Sequence, residues 1–271
     1  MRRKKGVRMK ITMYQVDTFT NELFKGNPVA VCLTEKPLKE ALMQKIAMEN
    51  NLSETAFCYK EGECYQIRWF TPEVEIDLCG HATLGTAYVL FNEVEQGKKQ
   101  ITFKSQSGEI IVTRNKERFT LSFPVREGRA ITPRTDIIKA LGGNPIAFYE
   151  SRDVMVVYET EEEITNLKPD VGLVNRLDVF GIIVTAKGNE VDFVSRYFAP
   201  GCGVFEDPAT GSSHCTLVPY WAKILGKNQF LDKQLSKRVG TFYCELKEDK
   251  VYISGEAIQL FKTSFEIDLN K

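Results

Sequence analysis

Two stretches half a chain apart repeat each other, and this repeat constrains the fold more than any single element does. Arg68-Trp69-Phe70-Thr71-Pro72 is echoed by Arg196-Tyr197-Phe198-Ala199-Pro200. Shortly after each comes an Ala-Thr pair in a glycine-containing turn, CGHATLG (79–85) and DPATGSS (207–213). Each turn runs into a helix-like segment, TAYVLF and CTLVPYWAKIL. Two echoes in the same order point to two related lobes, and 271 residues are long enough for two. The boundary is expected at residues 124–135, where Pro124, Gly128 and Pro133 cluster. This divides the chain into lobes at 9–128 and 129–271, with the last strand free to return to the first lobe.

Strand patterns fill both halves. In NPVAVCL an apolar run built on Val29, Val31 and Leu33 is that of a strand buried on both faces. Pro37 opens a helix that places Leu38, Leu42, Ile46 and Asn50 on one face, and Asn50-Asn51 ends it. TAFCY and YQIRWF read as short strands, and ITFKSQSGEIIVTRNKERFTLSFP as three strands, with a turn at Arg114-Asn115-Lys116. VMVVYET, FGIIVTA and VDFVSRYF continue the pattern, the last two parted by a turn at Gly188-Asn189. GTFYCELKEDKVYISG predicts a hairpin turning near Glu248-Asp249. Many strands with few helices give an α+β class, mainly antiparallel sheets wrapped on a small number of helices.

Thirty-six basic residues balance thirty-six acidic ones. That neutrality disfavours nucleic acid or an anionic membrane surface as the main partner, and leaves a small acidic substrate in one pocket as the expected one. Seven scattered cysteines, with no CxxC pair and no apolar leader after MRRKKGVRMK, predict reduced thiols and a cytoplasmic protein. No apolar run approaches the ~20 residues that span a bilayer. Residues 1–8 read as a flexible, solvated basic tail.

A glycine-rich strand-to-helix turn exposes backbone N–H groups at the positive end of a helix dipole. Two lobes facing each other would aim two such ends into one cleft and grip a carboxylate without metal or cofactor. The blander alternative is a pair of well-capped helices, with Thr83 and Thr210 or their neighbours satisfying the amides. As a matched pair carrying His81 and Asp207, the turns favour function. His81, one of two histidines, lies in a glycine-flanked turn and titrates near neutrality, which suits acid–base work. His214 has no such context and reads as packing or surface. Glu54, in NLSETAF, either starts a strand at the surface or is a partly buried carboxyl whose raised pKa suits it to move a proton. Two histidines and dispersed cysteines lack metal-ligand spacing, so no metal site is expected. ATGSSH lacks the lysine of a phosphate loop, GCGVFED departs from GxGxxG, and there is no GxSxG elbow.

VDTFTNELFKGNPVAVC, NLSETAF, FTPEVEIDLCGHATLG, FEDPATGSSH and VYISGEAIQLF, in that order along nearly the whole chain, resemble the PhzF-like family of phenazine biosynthesis. That family is similar in fold to diaminopimelate epimerase: two pseudo-symmetric lobes, each a sheet curled around a central helix, with the site between them. The resemblance puts the family's glutamate at Glu54, its histidine at His81 and its aspartate at Asp207. Gly80, Gly211 and Ser212 fall where the family binds substrate. It implies a cofactor-independent isomerase that moves a proton within a small unsaturated or activated carboxylic acid and acts as a homodimer. The epimerase uses one cysteine at each helix start. Cys79 occupies the first such position, but the second falls at Pro208, with Cys202 and Cys215 elsewhere. A two-thiol epimerase is therefore the alternative mechanism, and a non-catalytic binding protein on the same scaffold the alternative class.

Overall fold

The computed structural model describes residues 8–202 and 204–268. The first lobe begins with β1 (Arg8–Thr18), β2 (Asn27–Leu33), α1 (Glu40–Asn50), β3 (Glu54–Glu61) and β4 (Cys64–Phe70). It continues through β5 (Glu75–Ile76), α2 (Gly80–Val89), β6 (Gln100–Ser105), β7 (Gly108–Asn115) and β8 (Arg118–Pro124). The second opens with β9 (Arg129–Ile131), α3 (Thr135–Leu141), β10 (Ala147–Glu150), β11 (Val154–Val157), α4 (Glu161–Asn166), α5 (Val171–Val174) and β12 (Ile182–Lys187). It closes with β13 (Phe193–Ala199), β14 (Val204–Asp207), α6 (His214–Leu225), β15 (Gln229–Gln234), β16 (Gly240–Lys247) and β17 (Lys250–Gly255), after which comes β18 (Ala257–Asp268).

The lobes share one topology. β2 lies parallel to β3 as β11 does to β12, and β4 pairs parallel with β6, across α2, as β13 does with β15, across α6. Antiparallel hairpins follow in each, β6–β7–β8 and β15–β16–β17. The two sheets join where β8 pairs antiparallel with β17, Phe123 opposite Val251. β9 opens the second lobe by pairing with β10, and β18 returns to the first, where it runs the length of β1. Residues 1–7 of the expected tail lie outside the described residues. Arg8, assigned to that tail, instead opens β1, where it pairs with Asp268 and its guanidinium reaches Glu266 at 3.2 Å.

The sequence echo produces a structural one. Arg68 on β4 makes a two-pronged pair with Glu75 of β5, at 2.6 and 2.5 Å, and lies over the ring of Phe70. Arg196 on β13 does the same with Glu206 of β14, at 2.7 and 3.0 Å, over Phe198. A planar guanidinium fits both partners at once. Each pair braces the short strand that leads into the next helix.

α2 is apolar and buried on nearly every side, as a helix at the centre of a curled sheet must be. Gly85 sets its depth, because a Cβ there would fall 2.5 Å from Val29 and 3.1 Å from Thr18. α6 holds the matching place in the second lobe and ends at Gly226 in the left-handed region. α1 packs Met43, Ile46 and Ala47 against the outer face of the first sheet and ends at Asn51, also left-handed. The hairpin tips at Lys116 and Glu248 take positive φ, both 55°. Among the described residues no helix is long and apolar enough to cross a membrane.

Candidate active site

α1 ends just before Glu54, which opens β3 opposite Val29 of β2. Glu54 thereby faces the first turn of α2, where its Oε2 lies 3.1 Å from Nε2 of His81, out of line for a regular hydrogen bond. The other ring nitrogen, Nδ1, is 3.4 Å from the Cys79 sulfur. Asp207 ends β14 in the opposite lobe, with Tyr197 of β13 as its ladder partner. Its Oδ1 accepts from Asn27 Nδ2 at 2.8 Å, and its Oδ2 accepts from the Thr210 hydroxyl. Glu54 and His81 from one lobe and Asp207 from the other therefore lie close enough to act on one another's charge.

Neither helix start is closed by a side-chain cap. Thr83 donates to the Cys79 carbonyl at 2.6 Å, and Thr210 is engaged with Asp207, so neither hydroxyl covers the helix amides. In the second turn each of four successive carbonyls receives a side-chain donor. Gln234 reaches Asp207 O at 2.6 Å, Ser236 reaches Pro208 O at 2.7 Å and Asn27 reaches Ala209 O at 3.0 Å. Ser213 and His214 reach Thr210 O at 2.7 and 2.9 Å. The carbonyls are thus satisfied, while no side chain caps the N–H groups of the 3₁₀ turn Gly211–Ser213 that leads into α6. A Cβ on Gly80 would meet only Phe123 at 3.6 Å, and one on Gly211 only Phe19 at 3.6 Å. Both are ordinary contacts, so internal packing demands glycine at neither position.

The expected rise of the Glu54 pKa is corrected here. Burial pushes it up, but the His81 charge and contacts from His81 and Ser53 outweigh burial and hold it below the usual value. Burial pulls His81 down, yet Cys79 and Glu54 drive it well above the ordinary histidine range. Asp207 moves the other way. Burial and the Glu54 charge raise it, against His81, Thr210 and Asn27. Two neighbouring carboxyls whose pKa values are driven apart are suited to act as a base and an acid. Burial also raises the Cys79 thiol, so it is not the readily ionised group of a thiol base.

Three features escaped the sequence reading. Asn27 bridges the lobes, accepting from Ser53 at 3.3 Å while it donates to Asp207 and Ala209; its signal was an amide at the mouth of an otherwise apolar strand. Gln234 clamps the second turn from β15, also accepting from the Thr210 amide at 2.8 Å. Arg152 donates to Ser212 Oγ at 3.1 Å, and nothing in its neighbourhood in sequence announced it. His214, read as packing or surface, is fully buried. Its Nε2 lies 2.8 Å from Asp232, so it buttresses Thr210. Two clusters stand within reach of a common ion, Glu54–Cys79–His81 and His214–Asp232–Cys244. In the first, the imidazole turns opposite nitrogens to its two neighbours, which suits a proton relay better than chelation.

The family model described as phenazine biosynthesis-like protein, PhzC-PhzF, matches residues 16–263. An uncharacterized isomerase of Pseudomonas aeruginosa is 45% identical over 251 residues, 92% of this chain and 96% of that one. A crystal structure of a PhzF-family phenazine biosynthesis protein from Enterococcus faecalis is 47% identical, with a TM-score of 0.93 over 95% of this chain and 99% of that one. A hydroxyproline epimerase of Agrobacterium vitis, 10% identical, shares the fold with a TM-score of 0.65 over 96% of this chain and 93% of that one.

Proposed function

The chain belongs to the PhzC-PhzF, phenazine biosynthesis-like, family, and from that premise we propose a cofactor-independent isomerase that moves a proton between two carbons of a small carboxylic acid. The observation that carries this reading is the convergence of Glu54, His81 and Asp207 beside two uncapped helix starts, with the two carboxyls driven to opposite sides of their usual pKa. The helix amides at Gly80 and at Gly211–Ser212 receive the substrate carboxylate. They also stabilise the charge that spreads onto it when the neighbouring carbon is deprotonated. Glu54, anionic beside cationic His81, removes that proton. Asp207, whose carboxyl burial raises above its ordinary range, delivers a proton to a second carbon. One C–H bond breaks and one forms; Glu54 is left protonated and Asp207 ionised, and proton exchange with water resets both before the next turnover.

The test is incubation with a panel of small carboxylic acids in deuterated water. A substrate gains deuterium at carbon in the wild type. Glu54→Gln keeps binding while exchange falls by roughly two to four orders of magnitude. Near wild-type exchange by this variant would make Glu54 structural and move the chemistry to Asp207 and His81.

A further inference from the structure

Pro219 lies inside α6 and has no N–H, so the Cys215 carbonyl one turn earlier lacks its helical donor. The backbone N–H of Arg126 takes that carbonyl at 2.9 Å. This fastens the segment leaving β8 to the first turn of α6. Three residues earlier, Phe123 stands 3.6 Å from where a Gly80 side chain would be. The stretch 123–126 therefore reaches from one helix start to the other. Nη1 of Arg126 is out of reach of solvent and has no hydrogen-bond partner. Among the described residues no carboxylate lies within ion-pair distance of it.

A second guanidinium flanks the same turn. Arg152 touches Ser212 Oγ, lies 4.6 Å above the Phe180 ring and is held by Asp153, which is 1% exposed. Asp153 in turn accepts from the Tyr197 hydroxyl at 2.9 Å, and Tyr197 is the ladder partner of Asp207. Gly181 makes room for this stack, since a Cβ there would fall 2.1 Å from the Tyr197 oxygen. Burial pushes the Cys215 thiol up to about 11, and the charges of Arg126 and Arg152 both oppose that rise. Both are thus near the first turn of α6. Asp153 neutralises Arg152, whereas the Arg126 charge is uncompensated. A charged N–H donor shut off from water, as Nη1 of the half-buried Arg126 is, is costly until an anion meets it.

We propose that Arg126 and Arg152 form a guanidinium subsite on the α6 side of the cleft, and that the substrate is a dicarboxylate. One carboxylate sits at the helix starts beside the reacting carbon, and the second sits at this subsite. The inference rests on the isomerase reading above and names its substrate class.

Succinate and butyrate, equal in carbon number and different by one carboxylate, are the probes, with binding followed by ligand-observed NMR. Succinate binds the wild type at least about tenfold more tightly, the scale of one charge-assisted contact. Arg126→Met brings the ratio to within about threefold, and Arg126→Lys restores part of it. Because the open donor is costly in the empty protein, Arg126→Met melts at or above the wild-type temperature. A marked drop in its melting temperature makes Arg126 structural and overturns the subsite. Equal binding of the two acids, with deuterium exchange intact on some monocarboxylate, overturns the subsite alone. Binding of neither acid, with exchange absent across the panel, overturns both readings.

Discussion

Replacing His81 by glutamine tests the electrostatic core of the site. The imidazole and the Glu54 carboxylate are 6% and 14% exposed and 3.1 Å apart, so little water screens them. Removing the cation leaves a buried carboxylate without its counter-charge, and breaking such a pair costs about 3–5 kcal/mol. At roughly 2–4 °C per kcal/mol for a chain somewhat shorter than this one, the melting temperature at pH 6 should fall by about 6–20 °C. The pH dependence carries more information than the size of the drop. The lowered Glu54 pKa contributes stability above its unfolded value, and this is lost as pH falls through the folded one. The raised His81 pKa contributes stability fully present below about 6.5 and lost as pH rises through its higher folded value. The pair thus supports the wild type most between the unfolded values of the two groups, and His81→Gln flattens the decline on the alkaline side. Burial is then opposed only by the Ser53 contact and moves the Glu54 pKa up. In the exchange assay the acid limb of the pH–rate profile shifts to higher pH, while the rate falls about 10²–10⁴-fold. An acid limb that stays in place, or moves down, would refute the pairing as the source of the Glu54 shift.

Gly80→Ala and Gly211→Ala should each melt within about 2 °C of the wild type, because the added methyl meets only ordinary contacts; carboxylate binding by NMR titration nevertheless falls about tenfold or more as the methyl intrudes at the helix amides. Cys79→Ser should keep exchange within a fewfold of wild type, and a loss of about 10³-fold would restore the two-thiol mechanism. Asn27→Leu removes a donor that holds the Asp207 pKa down, so a carboxyl-carbon NMR titration should find Asp207 shifted further up; an unshifted titration would show that Asn27 only packs.

The two-lobe plan was legible because the repeated residues make repeated contacts. Arg68 and Arg196 each need a carboxylate one strand away and an aromatic ring two residues on, and both are written locally. The motifs singled out Glu54, His81 and Asp207 as candidates, and the fold sets Glu54 3.1 Å from His81 with Asp207 within reach of their charges. The sign of the Glu54 shift was not legible. Its sequence neighbours signal desolvation, whereas the opposing charge arrives on a helix whose depth depends on Gly85 against Val29. Arg152 likewise reaches Ser212 only through the packing of the turn between β10 and β11. Local patterns encode elements and repeats, and charge balance at a cleft depends on which elements the fold brings together.

The lobes are alike in topology and unlike in the chemistry at their helix starts. The first carries an ionisable pair facing the other lobe's Asp207, with His81 between a thiol and Glu54. The second pairs His214 with Asp232 in its buried interior. Its four carbonyls are tied back by Gln234, Ser236, Asn27, Ser213 and His214, and Arg152 stands at its edge. Asn27 couples the halves, because its one amide side chain touches the neighbour of Glu54 and both Asp207 and Ala209. Strand β18, returning from the second lobe to run along β1, binds the halves together. A repeated scaffold thus brings two uncapped helix starts together, and the side chains around them, His81 and Glu54 at one and Gln234, Ser236 and Arg152 at the other, make the two ends unlike.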